Sequence, residues 1–129
     1  MSTPSSHLVV VPGLHGSGDA HWQSWLQRQL PRSVRVVQDD WRIADIGAWA
    51  DRIEETLAAL GGGPHVLVAH SFGCLATLQV LQRHEHARLA RRGAMGSPRA
   101  PIAEVLLVAP AEPVRFGVAS ALPQGRIEV

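Results

Sequence analysis

Short apolar runs alternate with segments of helical periodicity along this chain, and this alternation limits the possible folds more than any other feature. The run Leu8–Val11 is β-branched, continuous and stopped by Pro12, which is typical of a strand buried on both faces. Similar runs at Val34–Val37, His65–Ala69 and Glu104–Ala109 predict three further strands. Because helical patterns separate these runs, the sequence predicts an α/β fold, a parallel sheet with helices on both faces and right-handed crossovers.

Three helices are predicted between the strands. The first is expected to begin after an N-cap at Asp19. Its apolar face is expected to carry four residues at helical spacing, Trp22, Trp25, Leu26 and Leu30. The second helix is expected over Ile46–Leu60, because a glycine-rich turn follows it. The third is expected to start directly at Ser71 and to run to about His84.

The composition predicts one soluble domain over residues 1–129, with an irregular tail over 111–129. The formal net charge is +1 and the sequence has no basic cluster, which argues against a nucleic-acid partner. No apolar stretch approaches the roughly 20 residues of a membrane span, so no membrane partner is expected. The single cysteine, Cys74, excludes a disulfide within the chain, and no signal-peptide pattern is present. These features predict a cytoplasmic protein.

The segment Ala69–Gly73, AHSFG, joins the third predicted strand to the third helix without a loop. A nucleophile elbow needs a serine on a sharp strand-to-helix turn, with small residues two positions before and two positions after it. Ala69 and Gly73 supply these small residues around Ser71, although glycine is more usual at the first position. The segment therefore predicts Ser71 as a catalytic nucleophile with a positive φ. An ordinary N-cap serine is the alternative.

Two backbone amides are candidates for stabilising an oxyanion beside Ser71. The amide of Phe72 is expected at the start of a helix, where free N–H groups and the helix dipole favour negative charge. The second amide is expected from the loop after the first strand, PGLHG. In that loop Gly13 lets the backbone come close, and Leu14 supplies the amide. A plain glycine turn is the alternative interpretation of this loop.

Four sequence blocks together give the chain a family resemblance. They are VVVPGLHGSGDAHWQSWL, QDDW, VLVAHSFGCLATL and EVLLVAPAEP, between residues 8 and about 117. With these blocks the chain resembles the small single-domain serine hydrolases of the retinoblastoma-binding-protein-nine and YdeN type. The resemblance implies an α/β-hydrolase fold, a Rossmann-like three-layer arrangement with the strands in the order second, first, third, fourth. It also implies esterase-like hydrolysis of a small-molecule ester or related acyl substrate through Ser71.

The same resemblance implies an acid and a histidine that follow the serine in the chain. After Ser71 the only histidines are His84 and His86, roughly 20 Å away along a straight helix. The catalytic acid and base are therefore expected beyond Val129. The chain is expected to be the N-terminal portion of the fold, to lack C-terminal strands and to have little esterase activity. Its fourth strand, 104–109, is expected to promote self-association because its edge is uncovered.

Several other side chains are candidates for catalysis or ligand binding. His15, on the glycine-rich loop, is the best substitute base within the chain. Glu112 follows the fourth strand, where some hydrolases hold the acid, but is interpreted as a loop carboxylate. His84–His86 lacks the i, i+4 spacing of metal ligands and is interpreted as a helix C-cap, so no metal is predicted. Cys74 is expected to be buried and inert.

Two other functions stay open at this point. One is a Rossmann-like nucleotide-binding domain, because Gly13, Gly16 and Gly18 follow a strand and precede a helix. Their spacing is G-x-x-G-x-G rather than G-x-G-x-x-G, and no P-loop lysine is present, so no cofactor is predicted. The other is a non-catalytic interaction module on a hydrolase fold.

Overall fold

The computed structural model describes residues 6–90, 102–114 and 116. Seven elements follow one another within these ranges: β1 (Leu8–Val11), α1 (Trp22–Gln29), β2 (Ser33–Arg35), α2 (Ile46–Leu60), β3 (His65–His70), α3 (Phe72–Ala90) and β4 (Ile102–Val108). All strand pairs are parallel, and the order across the sheet is β2-β1-β3-β4. The predicted α/β fold and strand order are therefore confirmed.

The alternation of side chains along the strands places helices on both faces of the sheet. Val9 and Val11 belong to a buried cluster that also contains the apolar residues of α2 and α3. Val10 points to the opposite face, as does its register partner Arg35. The guanidinium of Arg35 donates to Oγ of Ser24 on α1 at 2.7 Å. Helix α1 therefore covers the face opposite to α2 and α3.

Helix α2 has the predicted bounds, Ile46–Leu60, and helps to close the core. Its N-cap is Asp45, whose carboxylate accepts from the amide of Ala48 at 3.0 Å. Its buried residues recur at helical spacing on one face: Trp49, Ala50, Ile53 and Leu57. This face packs against α3 in the same buried cluster.

Helix α1 differs from its predicted form in both its cap and its buried face. The N-cap is His21, whose Nδ1 accepts from the amide of Gln23 at 3.1 Å, and not Asp19. Trp25 is 56% exposed, whereas Gln23 and Ser24 are buried. The predicted apolar face is therefore wrong. The prediction fails because Gln23 donates hydrogen bonds to two strand carbonyls beneath the helix, so a polar side chain takes the buried position.

Two further boundaries differ from the predicted ones. Strand β2 ends at Arg35, and Val37 is 53% exposed. Helix α3 begins at Phe72 and continues to Ala90, so His84–His86 lies inside the helix and is not its C-cap. Nε2 of His84 lies 2.7 Å from a carboxylate oxygen of Glu54 on α2, which ties the two helices together.

Strand β4 lies at the edge of the sheet that the described residues form, as predicted. It spans Ile102–Val108 rather than Glu104–Ala109. Leu107 on one face is 8% exposed, whereas Leu106 on the other is 55% exposed. The expectation that both faces of this strand are buried is therefore wrong for the described part of the chain, because no described element covers the Leu106 face.

The predicted irregular tail, 111–129, falls largely outside the described residues. Ala111–Val114 and Phe116 are described, and they include turn residues without a helix or strand. No helix in the described ranges is both long and apolar enough to cross a membrane.

Candidate active site

Ser71 is the only residue between the end of β3 and the start of α3. Its φ is +55°, a left-handed conformation that residues other than glycine rarely adopt. The end of β4 and the segment that follows it hold this turn through two backbone hydrogen bonds. The Ser71 amide donates to the carbonyl of Val108 at 3.2 Å, and the Ser71 carbonyl accepts from the amide of Ala111 at 3.2 Å. The strained turn expected of an elbow is present, and β4 maintains it.

Gly73 allows the elbow to pack directly against the end of β1. A Cβ atom at this position would lie 2.5 Å from the carbonyl oxygen of Pro12 and 2.6 Å from that of Val11. Real Cβ atoms do not approach backbone oxygens so closely, and a backbone oxygen cannot rotate out of the way. Only glycine fits here, which is the physical basis of the small-residue requirement two positions after the serine.

Gly13 brings the loop after β1 against the serine. A Cβ atom at Gly13 would lie 2.8 Å from Cβ of Ser71 and 3.4 Å from its Oγ. On the other side of the loop, the amide of His15 donates to the carbonyl of Trp41 at 2.8 Å. The loop that carries Leu14 therefore lies beside the hydroxyl, in the region from which a second oxyanion donor must come. The role of the Leu14 amide stays a prediction.

The histidines of the described ranges do not hydrogen-bond the Ser71 hydroxyl. His84 and His86 lie on α3, roughly 20 Å along the helix from the serine. His15 is exposed, with a φ of +66°, and its role as a base stays a prediction. Glu112 is an exposed loop carboxylate, as expected, and accepts from the amide of Val114 at 2.9 Å.

His70, the chain neighbour of Ser71, packs on α1. Its ring centroid lies 4.6 Å from that of His21 and 6.0 Å from that of Trp22, both in edge-to-face orientation. Burial, together with the neighbouring His21, lowers the pKa of His70, so its imidazole is neutral at pH 7. This ring cluster supports the elbow from the side of the sheet that α1 covers.

Cys74 is also close to the elbow, in the first turn of α3, and it is fully buried. Burial raises the pKa of its thiol to about 11, and its Sγ lies 3.6 Å from the carbonyl of Val108. Since the thiolate is the reactive form, Cys74 is a poor nucleophile at neutral pH, as expected from the sequence. Ser71 is the better candidate at this turn.

An aromatic row beside the elbow was not predicted from the sequence. It consists of Trp41, Trp49, Phe72 and Phe116, with successive ring centroids 5.9, 5.0 and 5.0 Å apart. The two middle rings are buried, whereas Trp41 and Phe116 at its ends are partly exposed. The QDDW block was the available signal, because its tryptophan follows a strand at the carboxyl edge of the sheet, where α/β sites form.

Two glycines of the loop after β1, Gly13 and Gly16, serve packing within the protein. Gly13 contacts Ser71, and a Cβ atom at Gly16 would lie 3.6 Å from the indole of Trp41. A dinucleotide-binding loop instead uses such glycines to let backbone approach a pyrophosphate, so this arrangement favours a hydrolase. Among residues 6–90, 102–114 and 116, no group of three or more His, Cys, Asp or Glu side chains could hold a metal ion.

Comparisons with known proteins support the same interpretation. A family model described as serine hydrolase matches residues 8–125. The solved structure of a YdeN-like hydrolase from Pectobacterium atrosepticum is similar to this chain, with 38% sequence identity and a TM-score of 0.73. The match covers 92% of this chain and 56% of that one, so this chain spans little more than half the length of that hydrolase. No curated protein matches the sequence.

Proposed function

Because this chain belongs to the serine hydrolase family, we propose that Ser71 is its nucleophile for hydrolysis of an acyl ester or a related small-molecule substrate. We expect weak turnover by these 129 residues, because no described histidine hydrogen-bonds the Ser71 hydroxyl. The left-handed φ of +55° at Ser71 carries this proposal. Strain of this kind persists only where the surrounding structure maintains it, and it clusters at active sites. The turn leaves the serine half-buried at the carboxyl edge of the sheet, where a substrate can reach it.

The proposed reaction is acyl transfer in two steps. Oγ of Ser71 attacks the carbonyl carbon of the substrate, and the carbonyl oxygen becomes an oxyanion. Collapse of this intermediate expels the alcohol and leaves an acyl-serine ester, which water then hydrolyses. A base must accept the serine proton and return it to the leaving alcohol. Among the described residues His15 is the candidate for that base, because it belongs to the loop that contacts Ser71.

Labelling with a fluorophosphonate probe tests the nucleophile. The probe is expected to modify the folded protein at Ser71, located by peptide mass spectrometry, and Ser71→Ala is expected to abolish labelling. Ser6→Ala is the matched control, since Ser6 is exposed and remote from the elbow in the chain, and it should label normally. A folded protein that is not labelled would favour the non-catalytic interaction module. If His15→Ala prevents labelling, His15 acts as the base.

We propose the amides of Leu14 and Phe72 as the oxyanion donors. The Phe72 amide is at the start of α3, and the contact between Gly13 and Ser71 supports a position for the Leu14 amide close to the hydroxyl. Leu14→Pro removes this N–H and is expected to slow labelling by about 100-fold or more, the usual effect of losing one such donor. Leu14→Ala keeps the N–H and should label at a rate close to that of the original protein. Equal rates for both variants would place the second donor elsewhere.

We propose that the chain self-associates through the edge of β4, over 104–109. The support is the edge position of β4 and the 55% exposure of Leu106, since an exposed apolar edge pairs readily with another chain. Light scattering is expected to show dimers or larger species, and Leu106→Lys should shift them toward the monomer. Leu89→Lys changes an equally exposed leucine on α3 and should leave the assembly unchanged. A monomeric starting protein would contradict the proposal.

We also propose a cytoplasmic location and a small-molecule substrate as the partner of the site. The buried free thiol of Cys74 supports the location, because reduced cysteines are the rule in that compartment. The net charge of +1 supports a small-molecule partner rather than a nucleic acid.

A further inference from the structure

We propose that the acyl group of the substrate is uncharged and apolar, and that Trp41 forms one wall of the site that binds it. This inference rests on the proposed function of Ser71 and extends it to a substrate class. The support for this inference is the set of apolar side chains that two chain segments place near the serine. These segments are the loop after β1 and the segment after β4.

The loop after β1 connects the serine to Trp41 over a short distance. Gly13 contacts Ser71, and the amide of Gly16 donates to the carbonyl of Gly13 at 3.0 Å. This bond closes a tight turn, whose end residues have Cα atoms within about 7 Å of each other. A Cβ atom at Gly16 would lie 3.6 Å from the Trp41 indole, and the amide of His15 donates to the Trp41 carbonyl at 2.8 Å. Ser71 and the Trp41 indole therefore lie next to the two ends of the same tight turn.

The segment after β4 also brings apolar groups to the elbow. The amide of Ala111 donates to the carbonyl of Ser71, and the ring of Phe116 packs 5.0 Å from that of Phe72. The apolar residues of these two segments, together with Trp41, are packed against the core yet only partly buried: Leu14, Trp41, Ala111 and Phe116. Apolar surface that gathers beside a nucleophile is what an apolar substrate group requires.

The charged residues beside Trp41 satisfy each other. Nε of Arg42 lies 3.3 Å from Oδ1 of Asp40, which also accepts from the Arg42 amide at 2.9 Å. The Arg42 side chain is 80% exposed and extends toward solvent. Because Asp40 and Arg42 are paired with each other in contact with solvent, they offer no buried partner to a carboxylate or ammonium on the acyl group, whereas methylene groups can pack against the indole. The surroundings of Trp41 therefore favour an uncharged acyl chain.

Binding of simple amides tests this inference without requiring a reactive serine. Octanamide and butyramide resemble the acyl part of an ester, and calorimetry with the 129-residue chain measures their affinities. We expect octanamide to bind at least tenfold more tightly, the gain that burial of about two methylene groups produces. In amide NMR spectra, octanamide is expected to shift the signals of Gly13, Gly16 and Ser71 most strongly.

Matched tryptophan variants locate the site. Trp41→Ala is expected to weaken octanamide binding about tenfold, with little change for butyramide. Trp25→Ala removes an exposed indole from α1 and should have no effect on either ligand. Because Trp41 also packs against Trp49, Trp41→Phe is a second variant, which preserves a ring and should restore most of the affinity.

Equal affinity for the two amides, or octanamide binding that Trp41→Ala leaves unchanged, would overturn the inference. Labelling of Ser71 by the phosphonate without octanamide binding would overturn this inference alone. Octanamide binding that shifts the backbone amide signals of Gly13, Gly16 and Ser71, without any labelling of Ser71, would instead overturn the proposed function. The assignment of the apolar site to an acyl group would then fall with it.

Discussion

Replacement of Gly73 by alanine is expected to lower the free energy of unfolding by about 3 kcal/mol. The new methyl group would lie within 2.6 Å of the carbonyl oxygens of Val11 and Pro12, so α3 must move away from β1. Overpacking of this kind costs about 1–3 kcal/mol and sometimes more, and here both opposing atoms belong to the backbone. The higher helix propensity of alanine returns at most about 1 kcal/mol. Urea unfolding followed by circular dichroism measures the change.

The matched control for this substitution is Gly18→Ala. No atom lies within 4 Å of a Cβ at Gly18, so the same chemical change should alter stability by no more than about 0.5 kcal/mol. Because Ser71 precedes Gly73 by two residues, the Gly73 variant should also lose phosphonate labelling under conditions where it remains folded. An unfolding midpoint equal to that of the original protein would show that α3 does not start against β1.

Replacement of Gln23 by leucine is expected to lower the free energy of unfolding by about 2–4 kcal/mol, although leucine is the more apolar residue. Gln23 is fully buried, and its Nε2 donates to the carbonyls of Val11 and Val68 at 3.1 Å each. Its Oε1 accepts from the hydroxyl of Ser17. Leucine can replace none of these bonds, and each buried group that loses its partner costs about 1–3 kcal/mol.

Gln29→Leu provides the control, because it makes the same change at the exposed last residue of α1. It should change the stability by no more than about 0.5 kcal/mol. Thermal and urea unfolding of the two variants show whether the loss of stability comes from the buried hydrogen bonds of Gln23 or from the changed composition of the helix. If Gln23→Leu were as stable as Gln29→Leu, the bonds between α1 and the strand carbonyls would contribute nothing to folding.

Some features of the site could be predicted from the sequence, namely those that depend on neighbouring residues. Features that depend on residues far apart in the chain could not. The positive φ of Ser71 follows from a motif of five consecutive residues, so the sequence was sufficient to predict it. The hydrogen bonds from Ser71 to Val108 and Ala111 join segments almost 40 residues apart, and no local pattern indicates them. The placement of Trp41 beside the loop after β1 likewise depends on how two loops meet at the carboxyl edge of the sheet.

The amino-acid sequence was sufficient to predict the order of strands and helices, because the 2- and 3.6-residue periods of apolar residues are local properties. It predicted β1 and α2 with their observed bounds, and the alternation of elements led to the parallel sheet. The buried face of α1 depends instead on contacts between the helix and the sheet. Periodicity favoured Trp25, yet Gln23 is buried because the carbonyls of two strands lie beneath it and need donors. The need for these donors arises only when the helix packs on the sheet, so the periodicity of α1 alone does not indicate it.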